Sequence, residues 1–284
     1  MQGLYLEELV RKALAEDIGA ADVTTSLLIS AECQCTAHLI AHERLVVSGT
    51  GAAELVFRLL DPSVRFDLKE ADGTTVKPDG QIAVISGDAA PILSGERVAL
   101  NFVQRMSGIA TLTRRYVEQV EGLPVRIADT RKTTPGLRIL EKQAVRAGGG
   151  VNHRMGLYDG ILIKENHLAT LGANGIEQAI ERAHRGARHL VKVEVEVGSA
   201  DAAEAAMRAG ADAILLDNMP VAEMREAVKR VRSYSGHVII EASGSVALDN
   251  VREIAETGVD IISVGKLTHS APAVDISLEI VKCR

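Results

Sequence analysis

The sequence predicts an α/β protein: an α+β layer followed by a parallel, incompletely closed α/β barrel. Three observations carry that expectation. From residue 123 onward a short β-branched apolar run, a polar turn and an Ala-rich helical stretch recur. Charged or Gly-containing residues gather at the C-terminal ends of those runs, and one run, VKVEVEV at 191–197, alternates charge with valine. Strands alternating with helices at this spacing build βαβ units and a parallel sheet.

Residues 1–122 lack the repeat. MQGLYLEELVRKALAEDIG reads as an amphipathic helix with Leu6, Leu9, Ala13 and Leu14 on one side. CTAHLIAHERLVVSG, VRFDLKEADGTTV and GQIAVISG read as strands, GAAELVFRLLD as a helix, and Ser94 to Glu121 as one long helix. Six strand runs follow: Val125–Ala128, Gly160–Lys164, Leu190–Val197, Ala213–Asp217, Val238–Glu241 and Ile261–Val264. The helical stretches between them, such as GLRILEKQAVRAG and GIEQAIERAHRGA, often end at Gly, as a helix C-terminus prefers. Period two puts Lys192, Glu194 and Glu196 on one face of their strand. An open sheet covered on both faces would bury them at a cost of several kcal/mol, whereas a barrel lumen accommodates them near its mouth. Six runs, rather than eight, predict an incomplete barrel.

Bulk chemistry excludes several functions. A net charge of −6 and a pI of about 5.8 argue against a general nucleic-acid binder. Aromatic residues are 2% with no Trp, too few for a base-stacking platform. Cys33, Cys35 and Cys283 have no zinc-ligand spacing and are expected as reduced thiols. No run reaches the roughly 18 apolar residues of a membrane span, and the N-terminus lacks a basic start and a cleavage motif, so a cytoplasmic location is expected. Charge is uneven: residues 126–154 carry seven Lys/Arg against Asp129 and Glu141, a local +5 that leaves −11 elsewhere.

The strand tips supply the candidate chemistry, because barrel enzymes work at that rim. Arg131 and Lys132 in DTRKTTPGLR, His153 and Arg154 in GGGVNHRMG, with Lys164 and Arg105, suit a small, highly anionic ligand. Glu196 and Asp217, on consecutive tips, suit Mg²⁺ or sugar hydroxyls, and Glu194 could share either role. Ser243, Gly244 and Ser245, with Val264, Gly265 and Lys266, offer backbone N–H groups to a phosphate. VGKL is not a nucleotide-binding loop, since Leu267 stands where Ser or Thr is required. Lys164 ends a strongly apolar strand and could form a Schiff base or act as a permanent cation. Together these residues fit phosphoribosyl transfer from 5-phosphoribosyl-1-pyrophosphate (PRPP).

ALNFVQRMSGIAT, DTRKTTPGLR, GGGVNHRMGLYDGILIKENH, KVEVEV, ILLDN and EASG, in that order, closely resemble the quinolinate phosphoribosyltransferases, a type II phosphoribosyltransferase family. The resemblance covers nearly the whole chain. It implies an N-terminal α/β sandwich over residues 1–110, with the tail at about 270–284 returning to it. A seven-stranded open α/β barrel would occupy 111–269. It also implies conversion of quinolinate and PRPP to nicotinate mononucleotide, pyrophosphate and CO₂ within NAD biosynthesis. Arg131, His153, Arg154 and Lys164 would hold the quinolinate carboxylates. Arg105 would reach the neighbouring subunit's site in a homodimer or larger oligomer. Lys132 and Lys164 would contact PRPP, Glu196 and Asp217 its ribose hydroxyls and Mg²⁺, and Ser243–Ser245 with Val264–Lys266 its 5-phosphate. Lys132, Lys164, Glu196 and Asp217 are the expected catalytic residues, with no protein nucleophile. Three alternatives stay open: a related phosphoribosyltransferase-like protein of molybdate-transport operons, a Schiff-base aldolase on Lys164, and a non-catalytic anion-binding module.

Overall fold

The computed structural model describes residues 2–172, 175–234 and 236–284, so Met1 of the expected N-terminal helix lies outside the described residues. The chain divides into two compact units. One comprises Met1–Arg114, Thr134–Gly149 and Leu267–Arg284; the other comprises Arg115–Thr133 and Gly150–Lys266.

In the first unit a helix over Gln2–Ile18 precedes a short one over Val23–Leu28. The short helix is poor in helix formers and was not legible from periodicity. Asp22 sets its start by accepting the Thr25 N–H at 2.9 Å. Then come β1 (Gln34–Ala41), β2 (Leu45–Val46), a helix over Thr50–Leu60, β3 (Arg65–Leu68), β4 (Thr75–Val76) and β5 (Gly80–Asp88). The long helix runs Ala89–Gln119, five residues earlier at its start than Ser94. Pro91 is tolerated because it falls in the first turn, where an N–H has no intrahelical partner.

The second unit is built on β6 (Arg126–Ala128), β7 (Ile161–Ile163), β8 (Val193–Val197), β9 (Ala213–Asp217), β10 (Ile239–Ser243) and β11 (Ile261–Ser263). They form a six-stranded sheet in the order β6-β11-β10-β9-β8-β7, every pair parallel. The seventh strand position is a single parallel bridge, Ala128 to Val151. Gly148, Gly149 and Gly150 before it explain the shortness, since glycine has little strand preference. The barrel is therefore joined between β11 and β6 and open between Val151 and β7. On β8 the valines are buried and Glu194 and Glu196 only partly so, as the alternation predicts. Helices over Gly175–Gly186, Ala200–Arg208 and Val221–Tyr234 bury apolar stripes that include Ile180, Ala203, Ala206 and Val231.

Two further pieces belong to the first unit. The helix Arg138–Ala147 buries Glu141 and Lys142 completely or nearly so, at 0% and 1% exposure. Strand β12 (Ile276–Cys283) pairs antiparallel with β1, completing a four-stranded sheet in the order β12-β1-β5-β3. No helix among the described residues is long and apolar enough to cross a membrane.

Candidate active site

A cleft of about 410 Å³ opens at the C-terminal ends of the parallel strands, lined entirely by residues of the second unit. Its basic side comes from the strands that flank the gap in the barrel. After β6 the chain presents Thr130, Arg131 and Lys132, and the Lys132 N–H donates to Thr130 Oγ1 at 3.0 Å. Asp129, fully buried, holds the next piece: Oδ1 accepts the His153 N–H at 2.8 Å and Oδ2 accepts Asn152 Nδ2 at 2.6 Å. Arg154 is braced by donating to the Gly160 carbonyl at 2.9 Å. Burial first, then the neighbouring Arg131, makes its cationic form less favourable than in water. Lys164, at the tip of β7, forms an ion pair with Glu196 of β8.

The acidic side stands on contiguous strands. Glu194 and Glu196 come from β8, Asp217 from β9 and Glu241 from β10. The His153 ring lies between two of these acids. Its Nδ1 accepts the Arg154 N–H at 2.7 Å, so in the neutral ring Nε2 carries the proton. That nitrogen faces Glu194 Oε2 at 3.2 Å and Glu241 Oε1 at 3.6 Å. The three ligand atoms lie within 4.8 Å of one another, a spacing that could hold a metal ion. Ligation would require the imidazole proton to move to Nδ1, where the Arg154 N–H already points, so a hydrogen-bonded histidine fits better. Glu241 is 3% exposed. Burial and the nearby Glu194 push its carboxyl from 4.5 up to about 7, against the opposing pull of His153 and Ser263.

The turn after β10 is shaped for close backbone approach. Gly244 and Ser245 have φ of 87° and 50°, and Asn218, facing them from the end of β9, has 52°. The Asn218 N–H donates to the Ser243 carbonyl at 3.0 Å, and Ser245 Oγ donates to Asn218 Oδ1 at 3.3 Å. A Cβ on Gly244 would stand 2.2 Å from that Oδ1.

Ten of the predicted residues thus meet in one cleft: Arg131, Lys132, His153, Arg154, Lys164, Glu196, Asp217, Ser243, Gly244 and Ser245. Five do not line it, among them Glu194, which faces His153 Nε2 instead. Val264 is 1% exposed and its N–H is already taken by the Ala128 carbonyl at 2.9 Å; Gly265 and Lys266 follow it outside the lining. Arg105 sits in the first unit. There it ion-pairs with the buried Glu141 at 2.9 Å and donates to the carbonyls of Ala271, at 2.8 Å, and Thr268. The lining also includes Asn218, Glu241 and Ser263, which motif reading did not assign. Glu241 was accessible from period two on IIEAS, which puts it on the same face as Ser243. The positive φ of Asn218 leaves no such trace.

Comparison with known proteins adds lineage to this geometry. The family model for the quinolinate phosphoribosyl transferase N-terminal domain matches residues 22–107, and that for the C-terminal domain matches 109–279. The chain is 44% identical over 280 residues to the probable nicotinate-nucleotide pyrophosphorylase (carboxylating) of Bacillus subtilis, covering 99% of this chain and 95% of that one. It is 38% identical over 296 residues to quinolinate phosphoribosyltransferase (decarboxylating) 2b, mitochondrial, of Nicotiana tabacum, covering 97% and 82%. Among solved structures, NadC from Streptococcus pyogenes superposes with a TM-score of 0.93 at 37% identity, covering 100% and 98% of the two chains.

Proposed function

The chain belongs to the quinolinate phosphoribosyl transferase family, and from that premise we propose that it transfers the phosphoribosyl group of PRPP to quinolinate with loss of CO₂, giving nicotinate mononucleotide and pyrophosphate. The observation that carries the reading is the division of one cleft into a basic side and an acidic side. Quinolinate is a dianion and PRPP carries more charge still, so Arg131, Lys132, Arg154 and Lys164 offset ligand charge. In this reading Arg131, His153, Arg154 and Lys164 hold the two carboxylates, and Lys132 and Lys164 touch PRPP. The turn at Ser243–Ser245, which lines the cleft, takes the 5-phosphate.

The reaction then needs no protein nucleophile. As the bond from ribose C1′ to pyrophosphate lengthens, positive charge develops on the sugar, and Glu196 and Asp217 stabilise it from the fixed strands. The quinolinate nitrogen bonds to C1′ and becomes cationic. The bond from ring C2 to its carboxylate breaks, CO₂ leaves, and the electron pair stays at C2 until a solvent proton replaces it. The Lys164 amine is engaged by the Glu196 carboxylate, as suits a cation contacting ligand oxygens rather than a Schiff-base nucleophile.

Mg²⁺ fits the donor set. Glu196 and Asp217 offer hard carboxylate oxygens on adjacent strands lining the same cleft, and they would hold the ion together with substrate oxygens. When bound it supplies charge neutralisation of the departing pyrophosphate. We further propose a cytoplasmic homodimer in which Arg105, anchored by Glu141, serves the partner's cleft. Mixing Arg105→Ala with Lys132→Ala chains then restores about a quarter of wild-type activity, because half the random dimers are hybrid and each has one intact site. No recovery refutes the shared site.

Initial-rate assays test the main reading. Pyrophosphate and CO₂ should appear together with quinolinate and PRPP. Equal turnover of nicotinate would overturn the substrate assignment.

A further inference from the structure

Cys35 and Cys283 are register partners across the antiparallel pair of β1 and β12. Next to them, Gln34 and Arg284 exchange both backbone hydrogen bonds, Gln34 N–H to Arg284 O at 3.2 Å and Arg284 N–H to Gln34 O at 2.9 Å. Hydrogen-bonded and non-hydrogen-bonded pairs alternate along such a ladder, so the cysteines occupy a non-hydrogen-bonded pair. There the Cα atoms approach to about 4.5 Å and both side chains leave the same face, within the Cα range of about 4.4–6.8 Å that a disulfide spans. We propose that Cys35 and Cys283 form an oxidisable dithiol, which peroxide-class oxidants convert to an intramolecular disulfide tying β12 to β1.

Accessibility sets the order of events. Cys283 is exposed and Cys35 only 4% exposed, its thiol held protonated mainly by burial. On its other flank Cys35 faces Gly87, which has no side chain to crowd it. Cys283 sulfur attacks a peroxide oxygen, the O–O bond breaks, and hydroxide leaves as water, giving a sulfenic acid. Cys35 sulfur then attacks the Cys283 sulfur, and the S–O bond breaks with loss of a second water. Two thiols lose two electrons and two protons, and one peroxide is reduced to two waters. Cys33 precedes β1 in a turn and has no partner in this ladder.

The test treats reduced full-length protein with hydrogen peroxide, then alkylates, maps peptides and measures intact mass. The expected chain stays monomeric on a non-reducing gel and loses the mass of two hydrogens. Its alkylatable thiols fall from three to one, with Cys35 and Cys283 peptides linked. Dithiothreitol reverses the change, Cys33→Ser retains it, and Cys35→Ser and Cys283→Ser each abolish it. The linked form should also melt higher than the reduced one, because the bond closes a long loop. A Cys33 link, a link between chains, Cys283 over-oxidised with Cys35 still alkylatable, or no reaction overturns the proposal. Should a serine variant fail to fold, the wild-type peptide map decides alone.

Discussion

The two sides of the cleft are held by different physics. The acids ride on β8, β9 and β10, each hydrogen-bonded to a strand on either side, so their backbones are fixed before any ligand arrives. The bases stand on β6, the Val151 segment and β7, around the place where the sheet is open. Polar side chains there do what a neighbouring strand would otherwise do. Asp129 binds the Asn152 and His153 region, and Asp159 accepts the N–H groups of Met155 at 2.6 Å and Gly156 at 2.8 Å. In the proposed mechanism the acidic side stabilises a charge that appears briefly, which demands rigidity. In the same proposal the basic side takes in charge that arrives with the ligand.

That contrast can be broken by kinetics. Lys164→Ala should raise the quinolinate KM and cut kcat/KM by about 10³-fold. Glu196→Gln should instead fall mainly in kcat, by about 10²-fold, with the quinolinate KM near wild type. The same kinetic signature for both variants would dissolve the distinction. Asp129→Ala sharpens it: two part-buried donors lose their buried acceptor, at a cost of about 1–2 kcal/mol in denaturant titration, and kcat/KM drops about 100-fold. Stability loss with intact kinetics would show that the anchor does not position His153. Gly244→Ala forces a Cβ onto Asn218 at a positive φ and should raise the PRPP KM about tenfold while sparing quinolinate.

The smallest effect concerns Glu241. Its folded carboxyl titrates at about 7 against an ordinary 4.5. A raised value means the folded chain keeps a proton that the unfolded chain releases. Its contribution to stability is therefore full below about 4.5 and lost as pH rises to about 7, on the order of 2–3 kcal/mol. Glu241→Gln should remove that slope in denaturation measured at pH 5 and pH 7.5, and an unchanged slope places the titrating proton elsewhere.

The acidic side was largely legible because strand periodicity is regular: VEVEV announces which residues share the lumen. The basic side was legible as residue types but not as geometry. Asp129 binding a segment some 24 residues later is a long-range contact, and the GGGV stretch shrinks to one bridge with no periodic signal. Val264 shows the converse error. A Gly-containing tip suggested a free N–H, yet that N–H closes the sheet against Ala128. Burial of Lys142 beside Glu141 was likewise hidden, because an i, i+4 row of bases looks the same whether solvated or packed.

The central claim is that the cleft joins ribosylation at nitrogen to loss of the adjacent carboxylate. Quinolinate labelled with ¹³C in the 2-carboxylate, incubated with PRPP and Mg²⁺, tests it directly. The label should leave as ¹³CO₂ in step with pyrophosphate and only when PRPP is present. Pyrophosphate release with the label retained, or label release without PRPP, would contradict it.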